Sequence, residues 1–156
     1  MSDEILTTAD IPEDFNKELE EKILRANEDK TLVKWNKLLP ELMMSDIFLA
    51  GSFPNGQTEG AGQANLLILQ HEGRNIVPFF SSPDRMSVLP EEQSGKLNMI
   101  RMRAGDFFYS IKGMGAVLNP STDYAKLFSG FDTKVLALEF KQSISDSQNN
   151  TKNKEE

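Results

Sequence analysis

The stretch GMGAVLNPSTDYAKLF, Gly113–Phe128, decides how the chain folds, because an apolar strand-like run ends there in the polar cluster Asn119-Pro120-Ser121-Thr122-Asp123. Two readings compete. In one, Ser121 caps a helix on which Tyr124 and Phe128, four apart, share a face. In the other, Pro120 biases Asn119 toward an extended conformation and Asn-Pro-Ser-Thr forms a type I turn. Tyr124–Phe128 is then extended, and the last helix waits until Asp132 or Thr133, where DTKVLALEF supplies a cap and strong helix formers. A turn or cap role for Asn119 predicts a loss of about 1 kcal/mol on replacement by alanine.

Upstream of that stretch the pattern alternates between strand and helix. KLNMIRMRAG reads as a strand, AGDFFYSIKG as a short helix offering Phe107, Phe108 and Ile111 to a core, and Gly113 as its left-handed stop. Before these, FFSSPDRMSVLP places Ser82 and Pro83 as N-cap and first residue of a short helix that packs Met86 and Leu89 inward. ANLLILQ and NIVPFFS flank His71-Glu72-Gly73-Arg74 as the arms of a hairpin. Pro78 cannot donate to a ladder, so its strand lies at an edge there or carries a bulge. DIFLAGSF, from Asp46 to Phe53, is a further strand, followed by the glycine-rich loop PNGQTEGAGQ.

The first part of the chain is helical. Phe15, Leu19, Ile23 and Ala26 form one apolar stripe, with Glu13 and Asp14 near the positive end of the helix dipole. Thr31 caps a second helix on which Leu32, Trp35, Leu39 and Leu42 keep helical spacing, Trp35 facing the core, and Pro40 imposes a kink or restart. The whole reads as an α/β (α+β) fold: a single layered domain with a mixed sheet of about five strands, N-terminal helices, and short helices between the later strands. Residues 1–12 read as a flexible N-terminus, 13–140 as the domain and 141–156 as a disordered tail, since KQSISDSQNNTKNKEE holds only Ile144 as an apolar residue.

Composition narrows the function classes. At 156 residues the chain suits one domain, able to bury roughly 68–70% of the surface of its unfolded form. It has no cysteine, which excludes disulfides, thiolate nucleophiles and thiolate zinc sites. MSDEILTTAD carries acids where a secretory signal has bases, and no apolar run approaches the roughly 20 residues of a membrane span, so a soluble cytoplasmic protein with no membrane partner is expected. Residues 1–30 hold ten acids and four bases, which accounts for −6 of the net −7. That distribution repels nucleic-acid backbones and gives an acidic helix face that either steers a basic protein partner or is simply solvated.

Chemical motifs are missing where they would be needed. His71 is the lone histidine, in a hairpin turn open to water, and one histidine cannot build a multi-histidine zinc centre. Gly51, Gly56, Gly60 and Gly62 precede a β-like run rather than a helix, and Gly95-Lys96 is followed by Leu97, so neither phosphate-binding fingerprint fits. Ser81 and Ser82 lack the Gly-x-Ser-x-Gly elbow. No catalytic residue, cofactor site or metal site is expected. Asn149-Asn150-Thr151 matches a glycosylation acceptor that has no meaning without secretion.

The order DIFLAG, IVPFFSSPDRM, a short helix and KGMGAVLNPST resembles the N-terminal domain of the SseB (enhanced serine sensitivity) family, over roughly residues 14–140. In that family's pattern a strand ends in phenylalanine with serine-type residues and a capped helix after it, and a later glycine-led strand ends in Asn-Pro. Phe80-Ser81-Ser82 and Leu118-Asn119-Pro120 stand at those places. The resemblance favours the extended reading of Tyr124–Phe128. It implies a non-catalytic protein-interaction module of the bacterial cytoplasm. One alternative is an immunity protein that neutralises a toxin or secreted effector; another is a small-ligand-binding regulatory domain linked to amino-acid metabolism. The partner surface expected from FFSSPDR and LNPSTDY, if their strands are parallel neighbours, comprises Phe80, Ser81, Arg85, Asn119, Pro120 and Asp123.

Overall fold

In a computed structural model, residues 4–6, 15–29, 32–52, 65–88, 98–111 and 113–155 are described. The helices are α1 (Lys17–Glu28), α2 (Val33–Met43), α3 (Ala104–Ser110) and α4 (Gly130–Glu155), with a 3₁₀ helix at Pro83–Val88. The strands are β1 (Glu4–Leu6), β2 (Asp46–Ser52), β3 (Asn65–Leu66), β4 (Leu69–His71), β5 (Arg74–Phe79), β6 (Asn98–Arg103), β7 (Gly115–Leu118) and β8 (Lys126–Phe128). They form a mixed α/β fold, but not around one sheet of about five strands. Two four-stranded sheets are present, ordered β1-β6-β2-β3 and β4-β5-β7-β8.

The division follows from ANLLILQ. Read as one hairpin arm, it is in fact split: Asn65 and Leu66 pair with β2, while Leu69–His71 pair with β5. Leu67 donates its amide to Ala50 O between the two. The sheets also meet where Phe48 and Phe80 exchange backbone hydrogen bonds, both 2.8 Å. The rest of the predicted hairpin holds. Glu72 and Gly73 both have positive φ, 50° and 77°, as a two-residue type I′ turn requires. Pro78 sits in β5 opposite Val117 of β7, past the point where β4 stops pairing at Ile76, so its missing donor falls on a locally unpartnered edge.

Alternation along β2 and β5 fills two cores. Ile47, Leu49, Val77 and Phe79 join Leu19, Ile23, Trp35, Leu42, Phe107, Phe108, Phe128 and Phe140 in the main cluster under α1, α2, α3 and α4. Phe48 and Phe80 point the other way, into a smaller cluster with Ala50 and Met99, covered by Phe15, Leu67 and Met86. Phe15 thus leaves the α1 stripe to pack edge-on against Phe48, ring centres 5.4 Å apart. Glu13, Asp14, Thr31, Leu89 and the loop PNGQTEGAGQ lie outside the described residues.

Several expectations about ends and breaks need correction. α2 runs through Pro40 without restarting. Pro40 is exposed, which leaves the orphaned Asn36 carbonyl open to water. The segment at Pro83 is a 3₁₀ helix whose Ser82 hydroxyl goes to Glu20 instead of capping. Gly113, at φ 86°, follows α3 as predicted. Asn119 is left-handed, φ 47°, against the extended backbone that Pro120 predicts, and of the stretch read as extended only Lys126–Phe128 is strand, Tyr124 belonging to the turn that leads into it. The third residue of the Asn119–Asp123 cluster, Ser121, has φ 64°, the geometry of a type II turn rather than type I.

α4 begins earlier than Asp132. Ser129 and Asp132 cap each other reciprocally, Asp132 N to Ser129 Oγ at 3.1 Å and Ser129 N to Asp132 Oδ2 at 3.3 Å. Gly130 suits this start because a Cβ there would lie 2.1 Å from the Gly113 carbonyl oxygen. At its other end α4 continues to Glu155 through the segment expected to be disordered. Ile144 packs against the main core, which carries the helix past Phe140, and extending a nucleated helix costs less than starting one. At the N-terminus, Glu4–Leu6 pairs with β6, where a flexible segment was expected.

Candidate functional site

β5 and β7 are parallel neighbours ending together at Phe79 and Leu118. The two segments singled out in the sequence, FFSSPDR and LNPSTDY, therefore leave the sheet side by side. Asn119 joins them. Its amide nitrogen donates to Phe79 O at 2.8 Å, and its side chain accepts from Ser81 N at 3.0 Å and donates to Ser81 Oγ at 2.9 Å. Asparagine tolerates the left-handed φ of 47° found there. Thr122 Oγ1, which donates to Asn119 O and accepts from Tyr124 N, fixes the rest of the turn.

Beneath the turn lies a carboxylate that the sequence did not single out. Glu20, on α1 and 8% exposed, accepts hydrogen bonds from Ser81 Oγ, from Ser82 Oγ at 3.1 Å, and from Arg85 Nε and Nη2 at 3.0 and 3.2 Å. Arg85 also lies against the Tyr124 ring, 3.9 Å from its centre. Hydrogen bonding to Glu20, offset in part by burial, raises the guanidinium above the usual arginine value, so it stays charged at any working pH. Asn16, left-handed at the foot of α1, pins the helix by donating to Asp46 O and Ser81 O. Asn27 at the other end donates to Asp123 O and Ala125 O and accepts the Trp35 indole N–H at 2.9 Å.

Of the six residues expected at a partner surface, Phe80, Ser81 and Asn119 are fully buried. Arg85 and Pro120 are half-buried and Asp123 is exposed. The structure brings the two segments together but closes their centre. Ser81 shows why: its one hydroxyl proton goes to Glu20, it accepts from Asn119, and the residue has no exposed surface. Asn119→Ala would strand the buried Ser81 N–H and put alanine at positive φ. The expected loss is therefore about 2–3 kcal/mol in urea denaturation, above the 1 kcal/mol of a simple turn residue. A loss under 1 kcal/mol would show that the turn is held by something else.

A signal for Glu20 and Asn27 existed. With Ile23 they sit at spacings of three and four along the flank of the apolar stripe, so polar residues there face the protein as much as water. The acidic face of α1 is correspondingly smaller than the charge count implies, with Glu18, Glu21 and Glu28 left exposed. His71 is exposed in its turn. Among the described residues, no three His, Asp or Glu side chains are placed to hold a metal ion.

The open feature is elsewhere. A groove of about 590 Å³ runs between α2 and α4, with Trp35, Leu39 and Met43 on one wall and Val135, Leu136 and Phe140 on the other. Its ends carry the exposed apolar side chains Phe131, Leu32 and Met44, which are 75%, 52% and 54% accessible. Lys126 lies over Trp35 at 5.4 Å.

The family model described as SseB protein N-terminal domain matches residues 19–131, from the first buried leucine of α1 to the phenylalanine at the groove's end. No curated protein and no solved structure matches the chain. Among the described residues no helix is long and apolar enough to cross a membrane.

Proposed function

The chain belongs to the SseB family, and we propose that it acts as a non-catalytic protein-interaction module, its partner seated in the groove that α2 of the family domain forms with α4, most of which follows the matched residues. The observation that carries this reading is Phe131, a phenylalanine 75% exposed at the mouth of an apolar groove. Exposed apolar side chains gathered around a concave surface favour association, and methionines such as Met43 and Met44 adapt to a partner's shape. The polar cluster supports the same reading from the other side, since its groups are committed to one another.

Phe131→Glu tests it with little risk to the fold, because exposed substitutions usually change stability by less than about 0.5 kcal/mol. Purified from its native cells, the tagged chain is expected to bring down a stoichiometric protein partner, and the variant, at unchanged melting temperature, to lose it. An absent partner, or one captured equally well by the variant, would overturn the proposal.

A further inference from the structure

Granted that the groove is the interaction site, on which reading the identity of its occupant rests, its shape and charge narrow the class of partner. Both walls repeat at helical spacing: Trp35, Leu39 and Met43 on α2, and Phe131, Val135 and Glu139 on α4. Side chains in rows of this pitch leave notches about one helical turn apart, the spacing into which the ridges of a third helix fit. From Phe131 to Ser143, both in the lining, the groove runs roughly 18 Å, or about three turns of helix at 1.5 Å per residue. An extended strand would present side chains at a different period.

The charge is one-sided. On α4 the groove is edged by Asp132 and Glu139, seven residues apart and so on one face of the helix. Glu139 is exposed and has no ion pair among the described residues, while Asp132 uses one carboxylate oxygen on the Ser129 amide. The α2 wall offers only the neutral Asn36 and Pro40 beside its apolar residues, and Lys126 sits at one end over Trp35.

We propose that the groove receives an amphipathic helix from a partner protein, its apolar side chains filling the row from Phe131 to Met44 and its lysines or arginines, seven apart, meeting Asp132 and Glu139. This is the helix-in-groove mode, in which anchors at i, i+3 or i+4, and i+7 supply affinity and flanking charges set orientation.

Trp35 lines the groove but is only 3% exposed, so occupancy is read from the anisotropy of dye-labelled peptides and not from its emission. The probe is a pair of such peptides of about 16 residues, identical in helical leucine anchors, one flanked by lysines and the other by glutamates. The lysine peptide is expected to bind with micromolar affinity and the glutamate peptide at least about tenfold more weakly. Glu139→Lys should narrow that difference, and Phe131→Glu should weaken both. Equal binding of the two peptides, or none up to about 1 mM, overturns the proposal. So does a wild-type dimer dissolved by Phe131→Glu, which would make the occupant a second copy of the chain. If neither peptide binds while the cellular partner remains dependent on Phe131, only the helical occupant is lost and the interaction reading survives. If the partner ignores Phe131, both fall.

Discussion

Phe79→Ala is expected to cost about 4 kcal/mol of folding stability, within the range for removing a buried phenylalanine. Phe79 has no exposed surface, and its ring centre lies 5.1, 5.5 and 6.0 Å from those of Phe107, Phe108 and Phe128. The ring therefore joins the parallel strands, α3 and β8 at one point. Four aromatic rings held edge-on and tilted cannot close over the void without giving up contacts with one another. At about 2–4 °C per kcal/mol for a domain of this size, the melting temperature should fall by about 8–16 °C. Phe79→Leu, which keeps most of the volume, should lose less than half as much. Equal losses for the two variants would mean that ring contacts matter little and would sink the argument.

Glu20→Ala is expected to lose about 3 kcal/mol, for a different reason. The substitution leaves Arg85, Ser81 and Ser82 without their shared acceptor, and the Arg85 side chain is only 27% exposed. Stranding a half-buried guanidinium costs more than the pair itself contributes. Arg85→Met strands the more deeply buried Glu20 carboxylate, eased only by its two serine donors, so its cost should be comparable, and in the double variant part of the loss should be recovered. Denaturant midpoints at constant slope would measure this. If Glu20→Ala left stability unchanged but abolished partner capture, the cluster would be a binding site and its structural role would be wrong.

Local patterns made much of the fold legible. The stripe at Leu19, Ile23 and Ala26 is buried as spaced, the Glu72-Gly73 turn carries the φ values its residues suit, and Gly113 takes the left-handed conformation after α3. Each depends on residues within a few positions of one another. What stayed hidden depends on distant partners. Its β-rich composition marks ANLLILQ as strand, yet nothing local says that Asn65 and Leu69 belong to different sheets. Phe79 and Phe80 plainly face opposite sides, but only the packing of Phe15 and Met86 shows that the second side is also covered, which removes Phe80 from the surface. Glu20 looked like one acid among many on a charged helix. Its role depends on serines more than sixty residues away. The groove was invisible for the same reason, since α2 and α4 make it only by lying together.

The reciprocal bonds between Phe48 and Phe80 have a bearing on how the domain comes apart. Two sheets could in principle be two separately melting units, each with its own strands. Here their backbones are stitched at that pair, Asn16 grips carbonyls from both, and residues of both share one apolar interior. Freeing either sheet would expose the inner face of the other, so partial opening gains little chain entropy and sacrifices much buried surface. The domain is accordingly expected to melt as a single cooperative unit, in coincident transitions by circular dichroism and fluorescence, with the walls of its groove persisting or vanishing with the whole.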